Sequence, residues 1–504
     1  MPQFVLDKML GGMNTMAEPG GLATFGDNVL FEASDIENWM PVIRGGQRTE
    51  YAYDTVFTTG TGTFIQGVYR YYKSDGTDTL VGVWDGNLYT VSDSWVATLV
   101  GGGFDTSSYV HFETAYGKLI ICDGVNNAKQ YDGSTLSTLT TDVTAPKVSK
   151  FYLDRLFLID PDNQPGYVYH SDIGDITTGY SSNFIKCDNQ DAGRVTALEK
   201  IFYAGDSTTY LVVGKDTSIG IITGDGTSAD PFVYSQVNRD AGVFGFRAMV
   251  QSVQDVAYLT RKGVSSIKTD LRDVGVEYSY LSKKVQDDFQ NIDPTSGANS
   301  HAYYDWYNSR IRFFIPTAGN TYPNLCWNWD VQTGGWYKTR YDKAITASFI
   351  EKNSQVVLGT SVGTLVVPRR APGGDFGGNS INSVYTTGYI DFGDSTRRKR
   401  IRNAWVYARG RGDYSFSISS AIDYGKAKGD SGTIDLTGSS YTWGGGEWTD
   451  DPDVYQWGGP PISITRYIPR GYFYNIQLSI TKTGINQPLD LFKIVFDVEY
   501  LETR

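Results

Sequence analysis

The sequence predicts an all-β protein, a β-propeller of about seven blades, six to eight being compatible with the spacing, followed by an antiparallel β-sandwich-like domain. Three observations carry this. A unit of strand, Gly-containing turn and strand recurs roughly every 40 to 50 residues, the period of propeller blades. No stretch sustains the 3.6-residue periodicity of an amphipathic helix. The C-terminal part alternates apolar and polar residues more sharply than any other part of the chain.

The clearest unit is DTLVGVWDGNLYTVSD. Asp85, Gly86 and Asn87 accept positive φ between the runs Leu80 to Trp84 and Leu88 to Val91, so the string reads as a hairpin. YVHFETAYGKLIICDGVNNAKQYDGSTL repeats the pattern, with turns near Gly117, at Asp123 and Gly124, and at Asp132 and Gly133. A third unit is KFYLDRLFLID with GYVYHSD, and a fourth is TALEKIFYAG with TYLVVGKDTSIGIITGDG. FRAMVQSVQDVAYLTRKGVSSIKTD, SHAYYDWYNSRIRFFIP with NLCWNWDVQTGGWYKT, and TASFIEKNSQVVLGTSVGTLVVP complete the series. No unit can bury its apolar face alone, so the copies must stack. Extra loops are expected around 225–240 and 275–298, and VEYSYLSKKVQDDF, 276–289, is the best helix candidate.

These units place the propeller at 63–370, after an N-terminal docking or closing segment at 1–62. APGGDFGGNSINS, 371–383, is rich in Gly, Asn and Ser and reads as a linker or long loop. The sandwich-like domain follows at 384–504. There Tyr414, Phe416 and Ile418 alternate with serines, Tyr474, Ile476, Leu478 and Ile480 alternate with polar residues, and Phe492, Ile494, Phe496, Val498 and Tyr500 do the same. One face of each strand therefore belongs to a core and the other to water.

Composition narrows the function. The formal charge of −12 disfavours a sequence-nonspecific phosphate binder, which neutralises phosphates with clustered Lys and Arg. No window of about 20 apolar residues could span a bilayer, and Asp7 interrupts what would be a signal peptide's apolar stretch, so no membrane insertion is expected. Cys122, Cys187 and Cys326 form no CxxC spacing and read as free thiols in a reducing cytosol.

Chemistry-bearing motifs are scarce. His111, His170 and His301 each stand alone in strand-like runs, which predicts packing rather than a metal site or a Ser/His/Asp triad. DPDNQPG, Asp160 to Gly166, lacks the spacing and closing Glu of a calcium loop and reads as a turn. No Walker loop or GxGxxG string is found, so no cofactor is expected. RGRGDY reads as a hairpin turn, and the isolated WD dipeptides at Trp84 and Trp329 do not make WD40 repeats.

Two segments invite contact. In STRRKRIR, Arg397, Arg398, Lys399, Arg400 and Arg402 crowd beside the start of a strand, either as a charged guard on a sheet edge or as a patch for an acidic neighbouring subunit. The insertion at 439–461 places Trp443, Trp448 and Trp457 among glycines and the acids Glu447, Asp450, Asp451 and Asp453. Such a loop is a candidate contact surface or gate, or else folds back onto the sandwich.

The opening string GGMNTMAEPGGLATFGDNVLFEASDIENWMPVIRGGQRTEY resembles the N-terminal segment of tail nozzle, or stubby tail, proteins of short-tailed bacteriophages. The matching positions are Gly11, Gly12, Met13, Asn14, Asn38, Arg44 and Gly45, with Met13 where the family more commonly has Leu. DRLFLID and YHSD, at Asp154 to Asp160 and Tyr169 to Asp172, are also similar to that family's blade strings. So are LVVGKDTSIGIITGDG, at Leu211 to Gly226, and the FGDSTRRKRIRNAWVYARG run. The resemblance implies a non-enzymatic virion structural protein made in the host cytoplasm and built into the virion tail. It implies a ring, in most members a homohexamer, below the portal and adaptor, contacting the head-tail adaptor and tail fibre or spike proteins. DNA would leave through the ring without specific binding. A carbohydrate-active or receptor-binding tail component is the alternative, motivated by the aromatic and acidic loop, and a propeller that binds peptides in its central depression is a third reading.

Overall fold

A computed structural model describes residues 2–22, 30–42, 45–73, 75–187, 191–203, 208–239, 242–252, 255–268, 280–350, 353–370, 375–410, 412, 414–436 and 462–501. The chain forms two compact units: one comprises Thr55–Trp327 and Lys343–Pro368, the other Met1–Asp54, Asn328–Asp342 and Arg369–Arg504.

The first unit is a seven-bladed β-propeller. Blade 1 is the sheet Ile65–Tyr72, Asp78–Trp84, Asn87–Val91 and Ala97–Gly102. Blade 2 is His111–Ala115, Lys118–Cys122, Lys129–Tyr131 and Leu136–Thr138, and blade 3 is Val148–Tyr152, Arg155–Ile159, Tyr167–His170 and Phe184–Lys186. Blade 4 follows as Val195–Tyr203, Thr208–Lys215, Ile219–Thr223 and Val233–Asn238, and blade 5 as Met249–Gln251, Val256–Thr260 and Gly263–Ser266. Blade 6 contains His301–Asp305, Arg310–Ile315 and Leu325–Asp330. Blade 7 contains Ile345–Ile350, Val356–Thr360 and Thr364–Pro368, and Tyr53–Thr58, from the other end of the sequence, adds its outer strand. The innermost strands contact one another in cyclic order, blade 7 returning to blade 1.

Local chemistry sets the hairpins. Asp85 and Gly86 both take positive φ, 53° and 68°, between the register partners Trp84 and Asn87. A two-residue turn of this hand matches the right-handed twist of the strands it joins. Packing between blades supplies the cores. Val81 and Val83 of blade 1 cluster with Leu119 and Ile121 of blade 2, while on the other face Leu80 and Trp84 cluster with Val357 and Leu365 of blade 7. Each fully buried Leu or Val of this kind contributes about 1.5–3 kcal/mol of apolar burial. All seven repeat units read from the sequence are blades. The region 225–240 differs from its expected role as a loop: Val233–Asn238 inside it is the outer strand of blade 4. Of the helix candidate, the described part contains a 3₁₀ turn, Lys283–Val285, and a four-residue α-helix, Gln286–Phe289.

The second unit contains two antiparallel-dominated sheets. One has the order Trp39–Pro41, Gln47–Thr49, Asp490–Tyr500, Lys399–Arg409, Ser463–Tyr467, with Gln3–Leu6 also paired to Asp490–Tyr500. The other contains Trp336–Thr339, Ala33–Glu37, Asn379–Thr387, Ile476–Gly484, Ser415–Ile422 and Ala427–Asp435. Trp39 of the first meets Tyr385 of the second edge-on at 6.2 Å, and the Tyr467 hydroxyl reaches Ser420 Oγ at 3.3 Å, so the sheets face each other as a sandwich. The alternation read from the sequence fills its core: Ile476, Leu478, Ile480, Ile494, Phe496 and Val498 are all fully buried.

This unit is not confined to 384–504. Gln3–Leu6, Ala33–Glu37, Trp39–Pro41 and Gln47–Thr49 are strands of it rather than a separate docking segment, and the strand Asn379–Thr387 begins inside the segment read as a linker. The reason is pairing at long sequence range: Phe4 stands opposite Phe496, and Ile36 opposite Tyr385.

Candidate functional site

The innermost strands of the propeller surround a cavity of about 470 Å³. Its wall takes residues from six innermost strands, including Val68 and Tyr69 of blade 1, His111 and Phe112 of blade 2, Glu199 of blade 4 and Val250 of blade 5. Arg247, just ahead of blade 5, His301 of blade 6 and Phe349 of blade 7 complete it. Edge-to-centre winding brings together residues that are far apart in sequence. His111 and His301, which the sequence predicts as isolated packing residues, line the same cavity, whereas His170 sits apart, against Phe157 and Phe232, with Nδ1 3.0 Å from the Ser171 carbonyl.

Charge is organised around three strands. Lys150 Nζ lies 2.7 Å from Glu199 and 3.7 Å from Glu113, and Lys200 adds a contact to Glu113 at 3.6 Å. Burial alone would lower the Lys150 pKa, but the two carboxylates outweigh it and raise the value. Arg247 has no such partner among the described residues: its Nη1 and Nη2 donate to the carbonyls of Thr346 at 2.7 Å and Asn299 at 3.2 Å. Its Cζ lies 3.8 Å from the centroid of the Tyr109 ring. Although the side chain keeps some solvent contact within the cavity, the surrounding protein desolvates it and pulls its pKa down to about 10, against the opposing pull of Tyr109.

The two histidines are held neutral. His111 Nδ1 faces the Ser149 amide at 3.4 Å, and desolvation, reinforced by Lys150, Arg247 and Lys147, takes its pKa down to about 3. His301, only 3% exposed, is lowered well below the ordinary histidine range by burial and then by Arg247. Among the described residues no group of three or more His, Cys, Asp or Glu is arranged to hold a metal ion.

The basic run does not form one patch. Lys399 is fully buried, with Nζ donating to the carbonyls of Asp394, Arg397 at 2.8 Å and Tyr474 at 2.9 Å, so it ties a loop to a strand. Arg402 pairs with Glu499 at 2.7 Å and Arg397 with Asp394 at 3.4 Å. Arg398 lies over the Tyr474 ring at 5.9 Å, and Arg400 stands opposite Glu499 in the strand register. Trp443, Glu447, Trp448, Asp450, Asp451, Asp453 and Trp457 lie outside the described residues, as do Arg411 and Asp413 of the RGD string.

No protein-family model matches the sequence, and no curated protein matches it. Solved structures do. The chain is similar to the WD40 β-propeller domain of Doa1, with a TM-score of 0.39 and 12% identity over 63% of this chain and 97% of that one. It is similar to a streptogramin B lyase, with a TM-score of 0.41 and 9% identity over 63% and 97%. It is also similar to BBS1N in complex with ARL6DN, with a TM-score of 0.42 and 12% identity over 64% and 99%. The likeness is one of fold alone. The chain is a β-propeller protein.

Proposed function

We propose that this chain is a non-enzymatic virion structural protein, a subunit of the tail nozzle of a short-tailed bacteriophage. One observation supports the reading: positions that carry the sequence resemblance are positions on which the fold depends. Gly12 has φ +74°, and a Cβ there would stand 2.4 Å from the Trp336 amide nitrogen. Met13 is buried and its amide donates to the Trp336 carbonyl at 2.8 Å. Asn38 is buried at φ 58°, and Asp154 takes φ 55° at the turn that opens DRLFLID. A chance likeness of composition would scatter over freely substitutable surface, whereas left-handed and tightly packed positions restrict which residue can stand there.

In this reading the chain assembles into a ring, a homohexamer by the resemblance, that contacts the head-tail adaptor and the tail fibre or spike proteins. A conduit for DNA should not grip phosphates, and the net charge of −12 fits that requirement. Electron microscopy of the purified protein, alone and mixed with adaptor complex, tests the proposal. Closed rings, or assembly on the adaptor, are expected; a strictly monomeric protein that leaves the adaptor unbound overturns it.

A further inference from the structure

Buried polar atoms in folded proteins are nearly always hydrogen-bonded, so a buried imidazole without partners calls for an explanation. His301 is such a residue. Its ring is stacked face to face on Phe314, centroids 4.7 Å apart and planes 5° from parallel, and neither Nδ1 nor Nε2 has a hydrogen-bond partner among the described residues. It lines the axial cavity, and its neighbour across a parallel bridge is Arg247. Arg247 Nε is likewise buried and unpartnered.

The charge balance around the cavity fixes the sign of a ligand. The carboxylates Glu113 and Glu199 are held by Lys150 and Lys200. Arg247 is ion-paired with no carboxylate among the described residues. Of the two charged residues that line the cavity, Glu199 is thus neutralised by Lys150, and Arg247 is left as the cation without a counter-charge. Much of the remaining lining is apolar, with Val68, Val110, Phe112, Leu198 and Phe349 among it. A volume of about 470 Å³ falls within the range of small-molecule sites, which combine an apolar lining with a few convergent polar groups.

We propose that the axial cavity is a binding site for a small organic monocarboxylate, its anionic head received by Arg247 and by an N–H of His301, its aromatic or aliphatic body lying against Val110, Phe112 and Phe349. A neutral imidazole carries one N–H, and with both nitrogens free the ligand decides which of them bears it. Guanidinium and carboxylate are matched in geometry, and a charge-assisted bond of this kind is roughly twice as strong as a neutral one. The site lies within a single propeller and does not depend on ring formation.

Isothermal titration calorimetry on the full-length protein with hexanoate, benzoate and 2-naphthoate tests the assignment. At least one of the three should bind at a single site with Kd below about 1 mM. The matching neutral amide, as well as the variants Arg247→Gln and His301→Phe, should each bind at least about tenfold more weakly, the loss expected when a buried charge-assisted contact goes. His301→Phe preserves the stack on Phe314, so it decides the matter if Arg247→Gln loses its near-ultraviolet circular dichroism. Failure of all three carboxylates to bind, or equal binding of acid and amide by the unaltered protein, overturns the proposal.

Discussion

Lys150 and Glu199, on the innermost strands of blades 3 and 4, meet at 2.7 Å with their side chains 11% and 16% exposed. With Glu113 of blade 2 at 3.7 Å, one ammonium bridges three consecutive blades. Removing one member of a buried ion pair leaves the other charge uncompensated, typically at a cost of about 3–5 kcal/mol. Lys150→Met is therefore expected to lower unfolding stability by about 3 kcal/mol. Glu199→Gln should lose only about 1 kcal/mol, because the amide can still accept from Lys150 and Glu113 remains. Urea denaturation of the three proteins checks the order; equal losses would show that Lys150 is not shared between the two carboxylates.

Asn38 tests the second unit. It holds φ 58°, its Nδ2 donates to the Asn382 carbonyl at 2.7 Å, and its Oδ1 accepts from the Arg340 amide at 2.8 Å. Asn38→Gly removes both side-chain bonds but suits the backbone; Asn38→Ala removes them and adds left-handed strain of about 1 kcal/mol. The alanine variant should be the less stable by about that amount, and both should fall at least about 1 kcal/mol below the unaltered protein in thermal melts. If alanine and glycine melt together, the left-handed backbone is not costing what its φ implies.

The cysteines give a measurement without mutation. Cys122, Cys187 and Cys326 are all fully buried, and burial raises the Cys122 thiol to about 12. The thiolate is the reactive form, so a buried thiol held protonated is inert. An aromatic disulfide reagent at neutral pH is expected to label none of the three in the folded protein and all three in concentrated denaturant. Fast labelling of any one under native conditions would place that thiol in a more open site than the fold gives it.

What could be read from the sequence follows the range of the interactions concerned. The Asp85–Gly86 turn is written in adjacent residues, so the hairpins were legible, while their number stayed between six and eight. The closing outer strand Tyr53–Thr58 was not, nor was the membership of Gln3–Leu6 in a sheet with Asp490–Tyr500, because a strand's partner is chosen by facing side chains that no local window contains. Gly, Asn and Ser between 371 and 383 read as a linker, yet Ile381 and Ser383 are buried in a strand whose core-facing positions hold few large apolar residues. Lys399 was legible only as charge; its burial depends on carbonyls of Arg397 and Tyr474 that converge in the fold. The cavity was invisible for the same reason, since His111 and His301 share no sequence neighbourhood. A lone histidine in an apolar strand gives no sign of whether a second will stand beside it.

Those histidines set the response to acid. In the folded protein His111 titrates near 3 and His301 well below its ordinary value, burial being the first cause in both, with Lys150, Arg247 and Lys147 facing His111 and Arg247 facing His301. His170 is lowered too, by burial more than by Arg155, against the Ser171 carbonyl and Asp172. Unfolded histidine titrates near about 6.5. Below that value the unfolded chain binds protons that the native protein refuses, so stability falls as pH falls, by up to about 1.4 kcal/mol per pH unit for each histidine. For His111 the loss runs from the unfolded value down to about 3, and above the unfolded value it vanishes. Asp191 and Asp293 are depressed to about 2 by hydrogen bonds that prevail over desolvation, so their contributions fade only at lower pH. Asp255, whose carboxyl is pushed up by burial, works in the opposite sense between about pH 6.5 and about pH 4.5, so the difference between the unaltered protein and His301→Phe is what isolates a histidine there. Urea midpoints across that interval should decline steadily, and His301→Phe should flatten the slope by up to about 1.4 kcal/mol per pH unit. An equal slope in the two proteins would mean that His301 takes up protons as freely folded as unfolded.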